Sequence, residues 1–240
     1  MIILVLNCGS SSIKYQLFKM NRASELLAKG LLERIGLNDS VLTHKPSGKE
    51  PYKVVEDIAD HTTGINKVIS ALTDPKHGVI KDVHEISAVG HRVVNGGEKY
   101  KESVIIDDEV KRQIEICSEL APLHNPANLK GILSIEQLIS DIPQVAVFDT
   151  SFHQTMPDYA FMYALPYEYY EKYKIRKYGY HGTSHKFVAT KAAKILGIDC
   201  KKLKIITCHL GNGASITAIQ NGRSIDTSMG FTPVDGLIMG

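Results

Sequence analysis

The sequence has no tryptophan and only four cysteines. Cys8, Cys117, Cys200 and Cys208 show none of the C-x-x-C spacings of structural zinc or dithiol redox sites, so they read as reduced, mostly buried thiols. No apolar run approaches the ~20 residues of a membrane span. The N-terminal run Ile2–Leu6 is short and lacks the basic flank and small-residue cleavage site of a secretory leader. Charge of one sign is also missing: 28 lysines and arginines face 26 aspartates and glutamates, in no long block. That balance gives no electrostatic case for nucleic acid or an acidic membrane surface, and any anion must be bound locally. A cytoplasmic location follows as the default expectation. The P-loop pattern G-x-x-x-x-G-K-[ST] is absent, and Gly211-Asn212-Gly213 is an incomplete dinucleotide fingerprint with no helix after it.

What is present is a chain of 240 residues with 43% apolar content, enough for one large domain or two ordinary ones. Ile2–Leu6 and Ile13–Phe18 read as strands around the polar turn N-C-G-S-S-S-I-K, and Leu26–Ile35 as a third. The segment 36–56, with Pro46, Gly48 and Pro51, reads as loops or irregular strands. Ile65, Val68, Ile69 and Leu72 recur at helical spacing behind Thr62, a candidate N-cap. Ile86–Val94 reads as a buried strand ending in Asn95-Gly96-Gly97. Val110, Ile114 and Cys117 mark another helix, and Asn125-Pro126 a third, read as cap followed by proline at the first helical position. Gln144–Phe148 is a five-residue buried strand ending at Asp149. Strands alternating with helices predict a largely parallel sheet.

From Thr150 the texture changes to an aromatic stretch, residues 152–180, which reads as a crossing between domains 1–150 and 151–240. A helix from about Ser184 to Leu196 is expected to bury Phe187, Val188, Ala192 and Ile195. The strand Leu203–His209 then meets a second small-residue turn, C-H-L-G-N-G-A-S-I. Strand, small-residue turn and strand thus occur twice, the pattern of a duplicated domain. In each turn, backbone N–H groups are able to approach phosphate closely where glycine removes the side chain.

Five stretches, V-L-N-C-G-S-S-S-I-K-Y, V-G-H-R-V-V-N-G-G, V-A-V-F-D-T-S-F-H, Y-G-Y-H-G-T-S-H and C-H-L-G-N-G-A-S-I, resemble in order the motifs of the acetate kinase family. The resemblance covers the whole chain. It implies an α/β fold of two ribonuclease-H-like domains of the actin-like ATPase superfamily, the second incomplete. It implies Mg2+- (or Mn2+-) dependent phosphoryl transfer between ATP and acetate, giving ADP and acetyl phosphate, in a homodimer. By motif, Asn7 falls near the metal, Lys14 beside the nucleotide phosphates, and His209, Leu210, Gly211, Asn212 and Gly213 around ATP. Ser10 and Ser12 either bond phosphate or stabilise their turn. Arg92 resembles the substrate arginine, Asp149 the catalytic acidic residue and His181 the histidine that stabilises the transition state. Val94, Leu123 and Pro233 resemble the wall of the acetate-methyl pocket, and Tyr180 stands where some relatives carry phenylalanine.

Other readings of these residues stay open. The alternative readings are a turn cap for Asp149, an ion-paired surface arginine for Arg92 and a solvated strand lysine for Lys14. His181 and His185 have the spacing of metal ligands but no third partner or intervening glutamate, so His185 reads as structural. A carboxylate is already ionised at neutral pH and needs no base, which makes Asp149 an orienting group for metal or arginine. Kinases for propionate or butyrate, or an actin-like ATPase, are the competing functions. The family continues past Gly240 with a second substrate arginine, an adenosine-binding segment and a metal-associated glutamate. The resemblance therefore implies that this chain alone is inactive and leaves an open apolar face on its second domain.

Overall fold

The computed structural model describes residues 1–239. The chain forms two compact units: Met1–Val93 with Val104–Ser118 and Pro122–Ala146, and Val94–Ser103 with Glu119–Ala121 and the residues from Val147 onward. The second unit thus takes two short pieces that precede the division expected after residue 150.

In the first unit, β1 (Ile2–Cys8), β2 (Ser12–Met20), β3 (Ser24–Glu33), β4 (Ser40–Pro46) and β5 (Tyr52–Glu56) form an antiparallel meander. After α1 (His61–Thr73), β6 (Ile86–Val93) pairs in parallel with β1. The short β7 (Val104–Ile105), α2 (Asp108–Ile116), α3 (Asn125–Leu138) and β8 (Gln144–Phe148) complete the sheet in the order β5-β4-β3-β2-β1-β6-β8-β7. The largely parallel sheet expected from the sequence is therefore corrected to a largely antiparallel one. Segment 36–56, expected as loops or irregular strands, supplies the regular strands β4 and β5, in which burial rather than residue polarity alternates with a period of two.

Alternation in β1 and β2 sends Leu4, Leu6, Ile13, Tyr15 and Leu17 into one core with Ile65, Val68 and Leu72 of α1 and Ile135 of α3. The opposite sheet face carries Val5, Lys14 and Gln16 and is exposed. Asp60, not Thr62, caps α1, accepting from the Thr63 N–H at 2.8 Å. His124 occupies the cap position of α3; Asn125 lies inside the helix, buried, and its Nδ2 donates to the carbonyl of Ile114.

The second unit holds α4 (Asp158–Phe161), α5 (Tyr167–Tyr173), α6 (Gly182–Leu196), β9 (Lys204–Leu210), β10 (Ala214–Gln220) and β11 (Arg223–Thr227). The last three form an antiparallel sheet in the order β11-β10-β9. The β1-β2-β3 and β9-β10-β11 meanders share strand order and direction. Their turns differ, with Gly9–Ser12 lying between the partners Cys8 and Ile13 but only Gly211–Gly213 between Leu210 and Ala214.

The aromatic stretch belongs to this unit rather than to a crossing. It is tied down by Arg176, whose buried guanidinium lies 3.6 Å from the Phe161 ring centroid and 2.8 Å from a Glu98 oxygen that also accepts from the Tyr170 hydroxyl. The expected inner face of α6 is corrected too. Gly182, His185, Ala189 and Ala193 are buried, while Phe187 (67% exposed), Val188 and Ile195 (75% exposed) point outward and Ala192 is half-buried. Small residues let the helix lie close to its neighbours, so the inner stripe holds few large side chains.

One close approach in the first unit is testable. A Cβ on Gly131 of α3 would meet Cys8 Sγ at 2.6 Å, just ahead of the first turn. Gly131→Ala gains about 1 kcal/mol of helix propensity but overpacks this contact at a cost of about 1–3 kcal/mol. Urea unfolding should show net destabilisation by Gly131→Ala that adding Cys8→Ala partly reverses; no loss in the single variant would contradict the packing.

Candidate active site

The first turn is held by two helices. Its Gly9 N–H donates to Ser12 O at 2.8 Å. His61 Nε2, from the first residue of α1, donates to Gly9 O at 2.6 Å, and Asn128 Nδ2 of α3 donates to Cys8 O at 2.7 Å. These bonds hold the carbonyls of Cys8 and Gly9 from behind, while Ser10 and Ser11 are exposed at the turn's tip. Sequence reading missed both anchors. His61 and Asn128 lie 52 and 120 residues from the atoms they hold, beyond the reach of any local pattern.

Asn7 and Lys14 are register partners across β1 and β2, and Lys14 is exposed. They line one groove, about 450 Å³, with Gln16, Lys29 and Lys45. Arg92 sits on the opposite side of β6 from buried His91, and its Nη1 donates to Asn7 Oδ1 at 3.2 Å. The arginine that interrupts an apolar strand is therefore positioned beside the first turn. His91 donates from Nε2 to Gln144 Oε1 at 2.7 Å, and burial lowers its pKa to about 4. Leu123, expected in the methyl pocket, is 73% exposed in this unit and borders a groove with Ser10, His61 and Pro126.

Within the second unit, Asp149 follows β8, is buried, and offers its backbone carbonyl to the Gly182 N–H at 2.9 Å. A Cβ at Gly182 would lie 2.3 Å from that carbonyl oxygen, so only glycine permits the approach. His181 immediately precedes α6 in the left-handed region, φ 59°, a conformation that costs a non-glycine residue about 1–3 kcal/mol. His153 helps to hold it there, its Nε2 donating to the Tyr180 carbonyl and its Nδ1 bonded to Ser224 Oγ, both at 2.9 Å.

His181 Nδ1 lies 2.9 Å from Ser215 Oγ, and its ring stacks on His209 with centroids 4.1 Å apart. His209 Nδ1 is 2.8 Å from Ser184 Oγ. A Cβ on Gly213 would meet His181 Nε2 at 3.1 Å, so the second turn runs directly against the imidazole. The Gly211 N–H bonds to Gly213 O at 3.1 Å and closes the turn. His185, read as structural, sits beneath, with Nδ1 2.7 Å from Thr207 Oγ1 and Nε2 2.8 Å from Ser215 Oγ. Burial, with neighbouring histidines adding to it, lowers its pKa to about 3; burial likewise lowers that of His153 to about 4.

Val94 packs with Ala121, Tyr180 and Met229, and Pro233 is half-buried in the same unit. The Tyr180 hydroxyl donates to Phe231 O at 2.8 Å and lies 3.4 Å from Asn95 Nδ2, so it is satisfied within the unit; burial raises its pKa. The structure thus groups Asn7, Lys14 and Arg92 with the first turn, and Asp149, His181 and His209–Gly213 around the start of α6.

No group of three or more His, Cys, Asp or Glu side chains able to hold a metal occurs among the described residues. Asn7 offers one neutral oxygen, already accepting from Arg92, whereas Mg2+ takes six oxygens and is commonly shared with substrate phosphates. The residues present do not form a complete metal site by themselves. No described helix is long and apolar enough to cross a membrane.

Burial of three neutral histidines has a pH consequence. Unfolded, each imidazole takes up a proton near pH 6.5; folded, His91 and His153 resist until about 4 and His185 until about 3. Their contribution to stability is full above about pH 6.5 and is lost progressively as pH falls toward about 4, because only the unfolded chain binds the protons. Denaturant midpoints should start to fall near pH 6.5; a flat profile down to about pH 5 would contradict this.

The sequence profile of the Acetokinase family matches residues 2–240. The chain is 62% identical over its whole length to an acetate kinase of Caldanaerobacter subterraneus subsp. tengcongensis and 60% identical to one of Thermoanaerobacter pseudethanolicus, and it spans 60% of the length of each. Among solved structures it is similar to Porphyromonas gingivalis acetate kinase (51% identity, TM-score 0.93) and to a propionate kinase from Francisella tularensis (47%, 0.88), covering 99% of this chain and 59% of each of those. The mixed α/β fold expected from the resemblance, that of the actin-like ATPases, is borne out.

Proposed function

The chain belongs to the Acetokinase family, and from that premise we propose that it forms part of an acetate kinase, which moves a phosphoryl group reversibly between ATP and acetate to give ADP and acetyl phosphate. The observation that carries the reading is the assembly of His181, in a strained backbone conformation, stacked on His209 and lying against the Gly211–Gly213 turn. A histidine N–H and a row of backbone N–H groups suit a phosphoryl group whose charge spreads over its equatorial oxygens.

Arg92 binds the acetate carboxylate and offsets its repulsion from the incoming phosphate. Acetate is ionised at neutral pH and attacks without a general base, so Asp149 orients its neighbours instead of moving a proton. The second turn, His209–Gly213, holds nucleotide phosphates; Lys14, with Ser10 and Ser12, serves the phosphates from the first. Val94 and Pro233 of the second unit are assigned to the side that receives the acetate methyl group. Asn7 would offer a neutral oxygen to a magnesium or manganese ion bound with the nucleotide, and such an ion would supply charge neutralisation of the phosphates. A cytoplasmic homodimer is the form we assign.

Similarity to a propionate kinase makes the acid the finer question, since one methylene is worth only about 1–3 kcal/mol of discrimination. Because the relatives extend well beyond the matched region, the 240-residue chain by itself should show little or no turnover. In the protein at its native length, acetate should drive ADP and acetyl phosphate formation. Arg92→Ala should lower kcat/KM by about 10²–10³, the usual loss for a transition-state charge partner, and Asp149→Asn should abolish turnover. Acetate-independent ATP hydrolysis with no acyl phosphate would instead indicate an ATPase, and unchanged rates in both variants would overturn the assignments.

A further inference from the structure

The hydroxyl of Thr207 is buried, and its partner among the described residues is His185 Nδ1. A buried hydroxyl proton left without an acceptor costs about 1–3 kcal/mol, so Thr207 donates and Nδ1 accepts. A neutral imidazole has one N–H and one lone pair, which places the His185 proton on Nε2. That N–H points at Ser215 Oγ, 2.8 Å away. Ser215 is fully buried and its hydroxyl has one proton, which goes to its other neighbour, His181 Nδ1, at 2.9 Å. The lone pair of His181 is thereby on Nδ1 and its proton on Nε2, the edge that meets Gly213.

We propose that His185 and Ser215 are positioning residues that, from the Thr207 hydroxyl onward, fix His181 as the Nε2–H tautomer and so make it a hydrogen-bond donor to a phosphoryl oxygen. The use of that donor rests on the phosphoryl-transfer reading; the tautomer itself does not. The opposite polarity would require Ser215 to donate to His185, His185 to donate from Nδ1 to Thr207, and the Thr207 proton to end in the interior unpaired. Burial that keeps His185 neutral protects the relay, because an imidazolium would donate at both nitrogens and reverse the Thr207 bond. His185 thus has a defined task in place of the structural role the sequence suggested.

The test is two-bond 1H–15N correlation on the 15N-histidine-labelled 240-residue chain near neutral pH. His181 should show a protonated Nε2 and a pyridine-type Nδ1, and His185 the same pattern. Ser215→Ala should spread His181 over both tautomers, and Thr207→Val, which removes the first donor at nearly constant volume, should do so for His185 and, more weakly, for His181. In the native-length enzyme both substitutions should lower kcat with little change in the KM for acetate. A protonated Nδ1 on His181 in the unaltered chain would overturn the proposal, as would an unchanged His181 pattern in folded Ser215→Ala. If Ser215→Ala does not fold, an unchanged His185 pattern in Thr207→Val decides against it. A correct tautomer pattern in a protein that makes no acyl phosphate would leave the relay standing and remove the kinase reading.

Discussion

The second unit depends on the single proton of the Ser215 hydroxyl, placed between two histidines that approach it from α6 and from the residue preceding α6. One hydroxyl cannot donate to both, so the protonation of each ring is tied to the other. Around it, β9 supplies Thr207 and His209, β10 supplies Ser215, and β11 supplies Ser224 to His153. Of the four histidines packed near one another here, burial keeps His153 and His185 neutral. The left-handed backbone of His181 is maintained by this network: His153 holds the preceding carbonyl, and Asp149 O holds the following N–H.

The first unit reaches a similar end by different means. Its turn is held through carbonyls by His61 and Asn128, and its charged member is Arg92 on Asn7. Both turns follow the first strand of an antiparallel meander, which accounts for the echo between N-C-G-S-S-S and H-L-G-N-G-A-S. Their lengths and their supporting side chains nevertheless differ. Each turn is therefore ordered by its framework before any ligand arrives, the condition under which fixed dipoles stabilise developing charge at low reorganisation cost.

The strands flanking both turns, the helix at Val110–Cys117 and the five-residue strand before Asp149 were legible because periodicity and small-residue punctuation are local. Sheet direction was not legible: alternation between helical and extended patterns suggested parallel pairing, while β4 and β5 hid behind Pro46, Gly48 and Pro51. The α6 face was misread because large apolar side chains were assumed to point inward, whereas Gly182, Ala189 and Ala193 make the contact. Arg92, Asp149 and His181 are singled out as candidates by motifs. Their supports, His61, Asn128, His153 and Thr207, are not, since a hydrogen bond across many residues leaves no trace in spacing. His185 was noticed for its distance from His181, but its function required the register of β9 and β10.

Phosphate binding is the role proposed for the two small-residue turns. Backbone amide chemical shifts of the 15N-labelled chain, followed during titration with Mg-ATP, test it most directly. The largest shifts should fall on Gly9–Ser12 and Gly211–Gly213, with the side chains of His181 and Arg92 responding at the same concentrations. Saturating shifts confined to other parts of either unit, or none at either turn, would contradict it.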